Sequence, residues 1–169
     1  KNTIGVNEPV KLTWTSDQNI TFEKIITLDE NYLFSVDQRV INNSGLSFDL
    51  YPYGLSKRQG IPEMQNFFIL HEGPLSITDG VLEEYDYDDL KDDKKIKHSS
   101  VGGWIGMTDK YWQTAIIPNQ NEPVQQTYSY SFVDNIDNFQ TDIVGERIAV
   151  SNNASISHNF KIFAGPKIV

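Results

Sequence analysis

The chain has 169 residues, a formal net charge of −9 and no cysteine. That length allows one domain with a sizeable core, and 9 Phe, 8 Tyr and 3 Trp supply the bulk to fill it. The acidic balance argues against nucleic acid as the main partner and disfavours peripheral docking on anionic lipid, while the missing thiols exclude disulfides, cysteine metal sites and thiol catalysis.

Val10 to Thr15 alternates and reads as a strand exposed on one side. After the turn Asp17-Gln18-Asn19, Ile20 to Leu28 forms a second strand with Phe22, Lys24 and Ile26 on one face. Asp29-Glu30-Asn31 turns the chain again, Tyr32 to Ile41 alternates, and Asn42-Asn43-Ser44-Gly45 is a strong turn signal. Leu46 to Tyr53 returns in period two. These turns are too short for a crossover helix, so the stretch reads as an antiparallel meander. Gly54 to Pro62 breaks the pattern and reads as a longer loop, and Met64 to His71 is an apolar run expected to be buried. Leu75 to Thr78 resumes the strand pattern, Asp79-Gly80 is a hairpin turn, and Val81 to Tyr87 follows. Asp86 to Lys95 has acids near its start and lysines near its end, which suits one or two helical turns.

Ile96 to Ser100 leads into residues 101–118, the densest aromatic and β-branched stretch of the chain. Two apolar runs meet there around the break Thr108-Asp109-Lys110, and the indoles of Trp104 and Trp112 are expected in the core. Gln125 to Val133 alternates, Asp134 to Asn138 turns, and Gln140 to Val150 reads as one strand with a bend at Gly145. Ser155 to Ala164 is the last strand, with Ile156, His158, Phe160 and Ile162 facing together. About twelve strand-like runs and one or two short helices imply an all-β domain of two antiparallel sheets packed face to face. No stretch reaches the roughly eighteen apolar residues of a membrane span. Both ends read as cuts made in a longer protein.

Chemistry-bearing patterns are sparse. The carboxylates from Glu83 to Asp93 miss the EF-hand spacing and read as a solvated surface. His71, His98 and His158 are not paired with other ligand types at helix or hairpin spacing, so no metal or other cofactor is expected. There is no nucleophile elbow, and Gly102-Gly103 lacks the further Gly and Lys of a phosphate loop. No catalytic residue is assigned. The small residues Gly102, Gly103 and Gly106 are expected to allow tight packing beside Trp104. Trp104, Met107, Tyr111, Trp112, Ile116 and Pro118 are expected to hold the core.

The central stretch also carries a resemblance. Gly102-Gly103-Trp104-Ile105-Gly106-Met107, then Lys110-Tyr111-Trp112, then Thr114 to Pro118, resembles the large periplasmic domain of bacterial YidC/Oxa1-type membrane insertases. The similarity continues upstream through Gly73-Pro74, Asp79-Gly80 and Tyr87 to Leu90, and downstream to Phe163-Ala164-Gly165-Pro166-Lys167. It implies a twisted β-supersandwich, similar to galactose-mutarotase-like domains, spanning 1–169 as a single excised periplasmic domain. It further implies a non-enzymatic role supporting insertion and folding of inner-membrane proteins. The implied partners are Sec translocon accessory subunits and nascent membrane proteins, with attachment to the inner membrane in the full-length protein. Fold likeness transfers no activity. The competing reading is a carbohydrate-binding or mutarotase-like domain with a groove lined by Tyr128, Tyr130, His158 and a carboxylate. A third is a peptide-binding chaperone patch for emerging substrates.

Overall fold

The computed structural model describes residues 3–61 and 71–167. Fourteen strands and one helix are found among them. In chain order the strands are β1 (Val10–Thr15), β2 (Ile20–Leu28), β3 (Leu33–Asn42), β4 (Phe48–Leu50), β5 (Tyr53–Gln59), β6 (Gly73–Thr78) and β7 (Val81–Glu84). After the helix α1 (Tyr87–Asp93) come β8 (Lys95–Val101), β9 (Trp104–Thr108), β10 (Trp112–Ile117), β11 (Pro123–Val133), β12 (Ile136–Gly145), β13 (Ile148–Val150) and β14 (Ala154–Pro166).

All strand pairs within the sheets are antiparallel. An eight-stranded sheet runs β1-β2-β3-β14-β10-β9-β6-β7, and a four-stranded sheet runs β5-β12-β11-β8. The core lies between them: Val36, Ile105, Ile116 and Phe160 from the large sheet meet Tyr128, Phe139 and Ile143 from the small one. Helix α1 closes one end of this layer with Tyr87 and Leu90, both buried. Its first turn is held by the Asp89 carboxylate, which accepts the Asp86 N–H at 3.1 Å. A third sheet corrects the two-sheet expectation: β4 and β13 pair only with each other.

The Asp79-Gly80 hairpin expected from turn chemistry is present, and the turn expected over Asp134 to Asn138 is confined to Asp134-Asn135, because Ile136 already begins β12. Asp79 and Gly80 have φ of 48° and 83° between β6 and β7, and Asp134 and Asn135 have φ of 54° and 60° between β11 and β12. Positive φ at both central residues matches the right-handed twist of the strands they join. The opening meander is corrected. β1, β2 and β3 are sequential neighbours, but the far side of β3 pairs with β14. Leu46 to Tyr53 therefore does not return onto β3: Phe48–Leu50 forms β4, and Tyr53 begins β5.

The loop expected over 54–62 is, over its described part, mostly the strand β5. Its inward positions are Gly54, Ser56 and Arg58, so no apolar alternation marks it. Gly54 is small because the core is close: a Cβ there would lie 3.2 Å from Ile116. Gln140 to Val150 is not one strand. It breaks after Gly145, whose N–H donates to Pro52 O at 2.9 Å, and Ile148 begins β13. The apolar run at 64–70 lies outside the described residues.

Tyr111 and Trp112 are corrections to the expected core. Both are exposed. Trp112 shares its strand parity with buried Ile116, but it sits at the start of β10, in a mostly polar hollow that it lines with Ser56, Lys57, Arg58 and Asp109. Tyr111 lies in the turn before it. Trp104 is half-buried, whereas Met107, Ile116 and Pro118 are buried. A Cβ on Gly102 would stand 2.5 Å from Gln120 O, on Gly103 2.1 Å from Ile77 O, and on Gly106 1.8 Å from Thr114 O.

Candidate docking cleft

The small sheet does not cover the whole inner face of the large one. Across β2, β3 and β14 the even-numbered residues form rows. Phe22 pairs with Val40, and Val40 with Ile156. The next row is Lys24, Gln38 and His158, and the one after it Ile26, Val36 and Phe160. A polar rung thus lies between two apolar rows.

Leu50, Tyr51, Pro52 and Tyr53 arch over the first two rows, with Ile148 beside them, and leave a cleft of about 290 Å³. The arch is fastened to the sheet end by Asn42, which is buried. Its side-chain amide donates to Leu46 O at 2.7 Å and Val150 O at 2.9 Å, and its oxygen accepts from Ser44 Oγ at 2.6 Å. Arg147 and Asp49 join β13 to β4 at 2.9 Å. Toward the sheet edge, Trp14 stacks on Phe22 with centroids 5.4 Å apart, extending the apolar floor onto an exposed strand. On the same face a second, open hollow of about 490 Å³ is lined by Val10, Ile26, Phe34, Val36 and Ile162 and carries no charged side chain.

His158 is the chemically distinctive residue of the cleft. Its Nε2 stands 3.1 Å from Glu122 Oε2, on the loop between β10 and β11. With Nε2–H donating to that carboxylate, Nδ1 is an acceptor, and it is buried with no partner among the described residues. The other two residues of the expected groove are elsewhere. Tyr128 is fully buried, edge-to-face with Tyr85 with ring centroids 4.8 Å apart. Burial raises its pKa, which rules out an easily ionised phenol. Tyr130 donates to Asp137 Oδ1 at 2.8 Å and lies under Lys94 Nζ at 4.7 Å. A sugar site built from Tyr128, Tyr130 and His158 is therefore not assembled.

Sequence reasoning missed Lys24, Gln38, Glu122 and the arch. The turn after Leu28 fixes the β2–β3 register and so places Lys24 opposite Gln38. The pairing of β3 with β14 spans most of the chain and leaves no local signal. Among the described residues no group of three or more His, Asp or Glu side chains converges as a metal would need. None of their helices is long and apolar enough to cross a membrane.

Residues 3–169 match the family described as the YidC periplasmic domain. The chain is 39% identical to the membrane protein insertase YidC of Pelagibacter ubique, over 99% of this chain and 29% of that protein. It is 35% identical to the same-named protein of Bradyrhizobium diazoefficiens, over 94% of this chain and 26% of the relative. For the Rickettsia canadensis insertase the figures are 37%, 98% and 30%. The chain thus spans less than a third of the length of these relatives. Among solved structures, a TPR-domain-containing protein from Parabacteroides distasonis aligns over 95% of this chain and 35% of its own, with a TM-score of 0.42 and 7% identity.

Proposed function

The chain belongs to the YidC periplasmic-domain family, and from that membership we propose that it serves membrane-protein insertion as a non-catalytic docking body. The full-length protein is an inner-membrane protein with this domain on its periplasmic side. In this reading residues 1–169 are one domain of that longer chain. Met107, Ile116 and Pro118 belong to its packing, and Gly102, Gly103 and Gly106 let neighbouring strands approach. The large and small antiparallel sheets support a sandwich; its likeness to the twisted supersandwich of galactose-mutarotase-like domains rests on the family resemblance alone.

The observation that carries the docking role is the cleft. Its floor offers one apolar row, Phe22, Val40 and Ile156, beside the polar rung Lys24, Gln38 and His158, and an extended segment could lay side chains on that row. The rung beside it offers the Lys24 and Gln38 donors. An apolar segment of a nascent membrane protein would bury its side chains on that row and beneath the arch. Sec accessory subunits are the second class of partner, reached through a sheet edge.

The test is photocrosslinking in the full-length protein, with a photoreactive residue at Ile156 or Tyr51 and an arrested nascent membrane protein as bait. Adducts are expected at both positions and not at a probe placed at Leu46, which is exposed and outside the cleft lining. Equal labelling at all three positions, or none in the cleft, would remove the docking role. Calorimetric titration with hexoses is expected to be flat.

A further inference from the structure

One end of the sandwich concentrates exposed aromatic side chains, and the chain's described ends meet there. Val6 bridges Leu28 at the N-terminal side, and Ile4 shares the apolar hollow with Ala164. At the other terminus Trp112 pairs with Pro166, and Lys167 N donates to Tyr111 O at 2.8 Å. The turn between β9 and β10 lies in that neighbourhood, with Lys110 Nζ 5.1 Å from the Tyr111 ring centroid. The β11–β12 hairpin reaches toward the same end: β5 lies beside β12, and Arg58 on β5 is ion-paired with Asp109 in the β9–β10 turn. Tyr111 is 64% exposed and Trp112 59%; Tyr32, Phe132 and Val133 are exposed as well.

We propose that this end is a membrane-contact surface, in which Tyr111 and Trp112, flanked by Lys110 and Lys167, seat in the headgroup layer of the lipid bilayer. The proposal rests on the family reading. The chain spans under a third of relatives that are membrane insertases, so the membrane-embedded remainder joins through chain ends, and both described ends emerge here. Trp and Tyr side chains present an apolar body and a polar tip, the combination enriched at bilayer interfaces. Lysine beside them extends its stem along apolar surface and keeps its ammonium in the phosphate layer. The partner is the lipid surface itself. With a chain charge of −9, the contact works through aromatic partitioning, not through a polybasic patch.

Trp14 is a built-in comparison. It is 63% exposed, but Trp14 pairs with Phe22 and Thr15 with Thr21, at the opposite end of β1 and β2 from Leu28. The experiment holds the 169-residue chain to vesicles through a C-terminal hexahistidine tag and nickel-chelating lipid, in acyl-chain-brominated phosphatidylcholine. Two single-tryptophan versions are read: W14F/W104F, which keeps Trp112, and W104F/W112F, which keeps Trp14. A tether alone leaves an indole in water, beyond contact with acyl-chain bromine. Trp112 fluorescence is expected to be quenched at least about twofold more than that of Trp14. Equal quenching, or none at Trp112, overturns the proposal. If W104F unfolds the chain, the parent is compared with W112F alone: loss of about half or more of the lipid quenching supports the contact, and no change sinks it. Periplasmic placement is checked separately by protease access in intact and permeabilised cells. A failed quenching result with protease access only from the periplasm therefore removes the lipid contact and leaves the family reading standing.

Discussion

Tyr87 shows what burial does to a single group. Its ring is 2% exposed and packs edge-on against Phe139 at 4.6 Å, while its hydroxyl finds no partner among the described residues. Burial pushes its pKa up to about 12, with the Arg58 guanidinium pulling weakly the other way. The folded phenol thus holds its proton where the unfolded one, near 10, has begun to lose it. A raised folded value means the folded state binds more protons in that window. Stability is then full below pH 10 and falls as pH rises from 10 toward 12, by about 2–3 kcal/mol in all. Replacing Tyr87 by Phe removes the titration without removing a hydrogen bond. At pH 7 the variant is expected to melt within about 0.5 kcal/mol of the parent. Between pH 9 and pH 11 its urea midpoint should fall less steeply, and parallel curves would contradict the buried phenol. The sequence placed this tyrosine at the end of the strand-like run Val81 to Tyr87 and in the Tyr87 to Leu90 motif, and did not mark it as core. Trp112 is the opposite case: its place in the densest aromatic stretch suggested core, but what lies across from a strand end depends on the other sheet.

At the scale of the element, local chemistry was legible and long-range partnership was not. Turns such as Asp79-Gly80 announce themselves because backbone conformation selects their residues. β5 was hidden because its inward face is Gly54, Ser56 and Arg58, chosen for close approach, a hydrogen bond to Thr114 Oγ1 at 2.9 Å and an ion pair. The glycines beside Trp104 were legible as small, yet the reason is visible only in the sheet. Gly106 sits between Leu75 on β6 and Ala115 on β10, and any Cβ there meets the Thr114 carbonyl oxygen. Backbone cannot yield as a flexible side chain does. Gly106→Ala is therefore expected to destabilise the domain by about 3 kcal/mol or more, by forcing β9 and β10 apart. A chemical melt showing under about 1 kcal/mol would mean that the two strands are not held as closely as described. Neither the Tyr87 nor the Gly106 substitution touches the cleft, so crosslinking at Ile156 should survive wherever the variants remain folded.

For the whole molecule, the decisive feature is where the last strand goes. β14 lies in the middle of the large sheet, with β3 on one side and β10 on the other. Lys161, for example, pairs with Ser35 across one edge and with Ile117 across the other. Without 154–166 the large sheet is two pieces, β1-β2-β3 and β10-β9-β6-β7, each with an unpaired edge. The cleft loses Ile156 and His158 at the same time. Non-local pairing of this kind places the loop-closure cost before its reward, so folding is expected in the millisecond-to-second range of all-β domains. It also ties completion of the domain to synthesis of its final strand. A chain ending at Asn153 is expected to show no cooperative urea transition and to aggregate through its open edges. Adding a synthetic 154–166 peptide in trans should restore part of the transition, because the missing piece is a single strand with two ready neighbours. A truncated chain that melts cooperatively near the parent midpoint would show that β14 is not what joins the halves, and the cleft built on that junction would fall with it.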